Sequence, residues 1–194
     1  MRGGRRPVRW FLAIAAFGLL AAATPPPPVV MRTVPLPTVQ DMVPLGPPLE
    51  RGGASIQRFR SDGEAITLGT DRSGRGAVLC VWQIFIVIRH SVAACAPDRA
   101  DLLAELDRSI AATNGFIVAN SPGPVTLSAV EARAHAIDDQ ANAGFAKLAP
   151  AAQAKACAAD WATQIAARLT PVAVRGWTDD LLSVPRLPVM NPCL

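Results

Sequence analysis

The most apolar part of this chain is CVWQIFIVIRHSVAAC at 80 to 95, and neither glycine nor proline occurs from Ala77 to Ala96. An uninterrupted element of about 20 residues is too long for a buried strand, which usually stops at about four to eight. Ile84, Ile86, Val87 and Ile88 carry branched side chains that favour a pleated sheet. Against them, Cys80, Ile84, Val87, Ser91 and Cys95 recur along one helical face. The pattern predicts a helix A over this stretch. Trp82, Phe85 and Ile86 make its other sides apolar, as suits a central helix touched by several neighbours. Its apolar run stops at Arg89 and His90, short of the roughly 20 residues that span a bilayer.

The same period places three more helices. Helix B covers roughly Asp98 to Ala119, with Leu103, Leu106, Ile110, Thr113 and Ile117 on one face. SPGP at 121 to 124 then turns the chain. Ser128 and Glu131 have capping-box spacing for helix C, whose buried stripe is Val130, Ala134, Ile137, Ala141, Phe145 and Leu148. Pro150 suits a first helical position, so helix D runs about Pro150 to Leu169 and buries Cys157, Trp161 and Ile165. Thr178, Asp179 and Asp180 ahead of Leu181 and Leu182 mark one short helix in the tail. Short connections make neighbouring helices antiparallel. The expected fold is all-α: an up-down four-helix bundle over residues 77 to 194, closed by a disulfide-tied C-terminal tail.

Before residue 77 the pattern changes. Residues 24 to 76 read as a disordered leader, proline-rich at first and Gly/Arg-rich later, with nine prolines between 25 and 48. Ser61-Asp62-Gly63 divides ASIQRFR from EAITLG, and Asp-Gly is a turn signal compatible with a short hairpin there. DRSGRG at 71 to 76 marks the boundary with the helical part.

Residues 1 to 23 carry a basic start, a short apolar run and small residues at Ala21, Ala22 and Ala23, the arrangement of a secretory signal cleaved after Ala23. The expected location is the periplasm or outside the cell. Cleavage changes the electrostatics, because Arg2, Arg5, Arg6 and Arg9 are lost from 19 basic residues, leaving as many bases as the 15 acids. A near-neutral mature chain has no clustered basic surface to hold phosphates, so nucleic acid is not an expected partner. Membrane contact is expected only if the N-terminal segment is retained.

Export makes disulfides chemically reasonable. Cys80 and Cys95 lie 15 positions apart, about 22 Å along a helix, whereas bonded cysteines need Cα atoms within about 7 Å. They cannot pair with each other. With helix D antiparallel to helix A, Cys157 meets Cys95, and Cys193 in the tail is left for Cys80. Their wide spacing does not fit a metal site or a redox motif of the CxxC kind.

The remaining candidates are few. His90 and His135 fall on helices A and C, where a bis-histidine haem or a metal is conceivable. The bland reading is stronger: His90 sits by Arg89 near a helix end, and His135 has Glu131, Asp138 and Asp139 around it on a solvated face. No GxSxG, HExxH or glycine-rich phosphate loop is present, so neither catalysis nor a cofactor is expected. Trp177, with Arg175 and Arg186 in the same tail, is the candidate interface, since tryptophan and arginine are common anchors; the competing reading packs Trp177 as a lid on the bundle end. In outline the chain resembles small exported helical proteins with paired cysteines, including the immunity proteins of type VI secretion. That likeness rests on size, export and helix pattern over the last 118 residues, and no motif residue carries a site across. The expected function is binding, with another periplasmic protein as partner and an inhibitor- or immunity-like role; the rivals are an envelope-tethered spacer and a haem- or metal-binding bundle.

Overall fold

The computed structural model describes residues 42–193; the expected signal segment and most of the proline-rich leader lie outside the described residues. Four strands come first: β1 (Val43–Pro44), β2 (Leu49–Arg51), β3 (Ala54–Ser61) and β4 (Glu64–Asp71). Six helices follow: α1 (Val78–Cys95), α2 (Ala100–Asn120), α3 (Leu127–Phe145), α4 (Pro150–Ala159), α5 (Trp161–Ala166) and α6 (Pro171–Leu182). The fold is therefore mixed α/β, which corrects both the all-α expectation and the up-down four-helix bundle.

The sheet is antiparallel and built around β3. β4 pairs with it along its full length, from Ala54↔Asp71 to Ser61↔Glu64. A strand has two edges, so β1 and β2 share the other, β1 opposite Phe59 and Arg60 and β2 opposite Ala54, Ser55 and Ile56. Both tight turns use positive φ at two successive residues, Asp62 and Gly63 (50° and 84°) and Gly52 and Gly53 (62° and 82°). That geometry matches strand twist and is cheap for glycine and tolerable for aspartate. Most of the sheet faces water, and only its near end enters a core, where Ala54 and Ile56 pack with Ala77, Cys80, Leu187 and Val189. Arg60, Arg58, Gln57 and Thr67 along the strands leave no sustained apolar alternation, which is why this region reads as a leader in the sequence.

α1 is the central helix. Val78, Val81, Trp82, Phe85, Ile86, Ile88 and Val92 are buried around most of its circumference, and α2, α3 and α5 pack against it. By length and composition alone its 18 residues would cross a membrane, yet 56% of them are buried inside this fold. Trp82 Nε1 donates to Asn114 Oδ1 at 2.7 Å, so both of these buried polar groups at the α1–α2 seam have a partner.

Helix D of the sequence reading is two helices. Asp160 is extended (φ −70°, ψ 127°) and caps α5 by accepting from Thr163 N at 2.8 Å. The break turns the next face: Ala162 and Ala166 are buried, while Trp161 and Ile165, expected inside, are 50% and 42% exposed. α3 is capped by Thr126, whose hydroxyl accepts from Ala129 N at 3.2 Å, rather than by Ser128. Of its expected stripe only Val130 is buried; Ala134, Ile137, Ala141 and Phe145 are half-buried and Leu148 is exposed. The tail contains a full helix, α6, capped by Thr170 and packed on α2 through Val174, Thr178 and Leu181.

After α6 the chain returns to the sheet. Arg186 is fully buried: its Nε donates to Asp71 Oδ2 at 2.7 Å, Nη2 to Gly76 O at 2.8 Å and Nη1 to Leu181 O at 2.5 Å. Its guanidinium also lies 5.8 Å from the Phe116 ring centroid. Asp71 Oδ1 accepts from Ser73 N at 2.7 Å, so both Asp71 oxygens and all three Arg186 guanidinium nitrogens have hydrogen-bond partners. Asp71 N donates to Asn191 O at 2.6 Å, and Thr70 bridges Asn191 in parallel, fastening the tail to the end of β4.

Candidate functional site

The four cysteines form Cys80–Cys193 and Cys95–Cys157, with Cα atoms 5.3 and 5.5 Å apart, the connectivity expected from the sequence. Two such bonds are consistent with an oxidising, exported environment. Their surroundings differ. Cys80 is completely buried in the small core under the sheet, whereas Cys95 and Cys157 are both half-buried and line a cleft of about 210 Å³ between α1, α3 and α4.

That cleft is the site with the most chemistry. Val87, Ala94 and Phe145 give it apolar walls, and His90, Ser91 and Asp160 supply its polar groups. The Ser91 hydroxyl donates to Asp160 Oδ2 at 3.0 Å, an oxygen that also accepts from Thr163 N and Thr163 Oγ1 at 2.8 and 2.9 Å. Burial alone would raise the Asp160 pKa, but the hydrogen bonds from Thr163 and Ser91 outweigh it and hold the carboxyl below its ordinary range. Ser91 is thus committed to a carboxylate that caps a helix. His90 Nδ1 lies 3.4 Å from Asp138 Oδ1 on α3, and Asn142 holds the other Asp138 oxygen at 3.1 Å. A nucleophile–base pair would need Ser91 and His90 to face each other, and their partners lie on different elements.

The expected ligand pair is separated as well. His135 lines a different groove, with Ile86, Arg89 and Asp107, on the α2 side of α3. Among the described residues no three His, Cys, Asp or Glu side chains cluster closely enough to hold a metal ion.

The expected interface residues are engaged internally. Trp177 is half-buried on α6 and packs edge-on against Phe85 in the middle of α1, ring centroids 5.0 Å apart. Arg186 is inside the Asp71 clamp. Arg175 is exposed but reaches Glu105, donating from Nη2 to Oε2 at 2.6 Å and from Nε to Oε1 at 3.3 Å. Glu105, almost fully buried, also receives Arg108 at 2.5 Å. Hydrogen bonds from Arg175 and then Arg108 lower its pKa to about 2 despite the desolvation that opposes them. This bridge fastens α6 to α2.

What the sequence reading missed is the pair Trp161 and Ile165, one helical turn apart on the outer face of α5. The signal was available: Asp160 with Thr163 three residues later has N-cap spacing, and it resets the helical phase inside an apparently continuous run. No family model matches the chain, and no curated protein or solved structure matches it.

Proposed function

We propose that this chain is an exported, disulfide-bonded protein that acts by binding another protein of the same compartment, and that Trp161 and Ile165 anchor the contact. The observation that supports it is their exposure, 50% and 42%, on a helix whose inner face, Ala162 and Ala166, is already buried. A tryptophan left half in water keeps a large apolar area available for a partner, and tryptophan is the side chain most enriched among interface anchors. The interface role expected for Trp177 passes to Trp161, because Trp177 spends its ring on Phe85. An inhibitor- or immunity-like role is one form this binding can take.

The test is a capture experiment with the full chain, comparing the native protein with Trp161→Ala/Ile165→Ala. The native protein should retain one stoichiometric partner from periplasmic extract and the variant should lose it. Folding should be unaffected, since surface substitutions of this kind shift stability by about 0.5 kcal/mol or less. Equal capture by both proteins, or no stoichiometric partner for the native one, would refute the reading.

A further inference from the structure

α4 has little of its own to hold it in place. Its sequence, PAAQAKACAA, is mostly alanine, and none of its residues is buried. Its side-chain ties among the described residues are the bond from Cys157 to Cys95 and one hydrogen bond, Gln153 Nε2 donating to Phe145 O at 3.3 Å. Alanine buries too little area to dock a helix by itself. The residues at both of its ends, Ala149 (φ −64°, ψ 153°) and Asp160 (φ −70°, ψ 127°), are extended, so the helix is a separate segment between two joints. Behind it lies the cleft with His90 and Phe145.

We propose that Cys95–Cys157 is an exchangeable latch, whose reduction by a dithiol releases α4 and opens that cleft while the rest of the fold stays in place. The chemistry balances within the named reactants. One thiolate of the dithiol attacks a sulfur of the pair, the Cys95–Cys157 bond breaks, and a mixed disulfide forms. The second thiolate resolves it, leaving two cysteine thiols and an oxidised dithiol, with two electrons and two protons transferred. Both cysteines of this bond are half-buried and open on the cleft. In the other pair Cys193 is exposed, but attack on its sulfur must expel Cys80 as a thiolate inside a completely buried apolar core, which disfavours exchange there.

Release should stop at the joints. α5 keeps its own anchors: Ala162 and Ala166 are buried, and Arg99 donates to Ala166 O at 2.5 Å and to Leu169 O at 2.6 Å. On the other side α3 is held by Val130, Ala134 and Ile137 against the main core. The latch is independent of the binding role given to Trp161.

The test titrates the oxidised full chain with dithiothreitol under native conditions, traps thiols with iodoacetamide, and follows amide exchange by mass spectrometry. Cys95 and Cys157 should be alkylated at least about ten-fold faster than Cys80 and Cys193. Amides of 151 to 159 should then exchange at least about ten-fold faster, with α1 and α2 unchanged. Simultaneous reduction of both bonds, earlier reduction of Cys80–Cys193, or global loss of protection would overturn the latch. So would α4 amides that exchange equally fast before and after reduction. Cys95→Ser/Cys157→Ser gives a second route: it should fold with α4 unprotected without any reductant, and protection of α4 in that variant would also sink the proposal.

Discussion

At the Cys80 end of α1, Cys80 sits among Ala54, Ala77, Leu187 and Val189, all buried, beside the hydrogen-bonded Asp71–Arg186 pair, and only its partner Cys193 is exposed. At the Cys95 end the second disulfide faces a cleft and carries a helix with no buried residue. The sequence separations, 113 and 62, correspond to roughly 5 and 4 kcal/mol of loop-closure entropy. The denatured chain thus feels the two bonds almost equally. The contrast lives in the folded state, where one bond reinforces packing that already exists and the other stands in for packing that does not. A disulfide in a small domain is informative only together with what surrounds it.

Substitutions at the packed end should be the most damaging. Asp71→Ala leaves the fully buried Arg186 without its anion, and breaking a buried pair in this way costs about 3–5 kcal/mol. Urea unfolding with both disulfides intact measures it, and a loss under about 1 kcal/mol would erase the contrast between the ends. Gly69→Ala comes next, because its Cβ would stand 2.8 Å from Val189 Cβ and 2.7 Å from Cγ1. Valine is stiff and cannot step aside, so overpacking should cost about 1–3 kcal/mol by the same melts.

Between the two ends, Glu105 offers a pH test. Its folded pKa is lowered from 4.5 to about 2, so its contribution is complete above the unfolded value and is lost as pH falls through the interval towards about 2. Glu105→Gln should flatten that acid limb of the stability profile while leaving the disulfides formed; unfolding followed by circular dichroism at several pH values decides it. The smallest effect belongs to α4. Ala154→Gly, on an exposed position, should lower global stability by no more than about 1 kcal/mol, the intrinsic helix cost, and amide exchange confined to α4 should report the change.

The helices and the disulfide partners were legible because they rest on long-range regularities: the glycine- and proline-free run of α1, the 3.6-residue period of α2, and the distance between Cys80 and Cys95. The sheet was not, because Arg58, Arg60, Gln57 and Thr67 interrupt the apolar positions Ile56, Phe59, Ile66 and Leu68, leaving neither face with a sustained apolar alternation. The Asp62-Gly63 turn was a local clue, and Gly52-Gly53 offered a second. Arg186 looked like an interface anchor because arginine is a common one, and its partner Asp71 lies 115 positions earlier. Trp161 and Ile165 were placed inside because one extended residue, Asp160, was enough to shift the helical phase. In each case the deciding interaction was either remote in sequence or a single backbone state.

The fastening of Asn191 to β4, together with the Arg186–Asp71 clamp, joins segments made early and late during synthesis. Until residue 191 has emerged from the ribosome, the Cys80 core cannot close. The four-stranded sheet itself pairs within residues 43 to 71, so what waits for residues 187 to 191 is the cover over Cys80 and the first turn of α1.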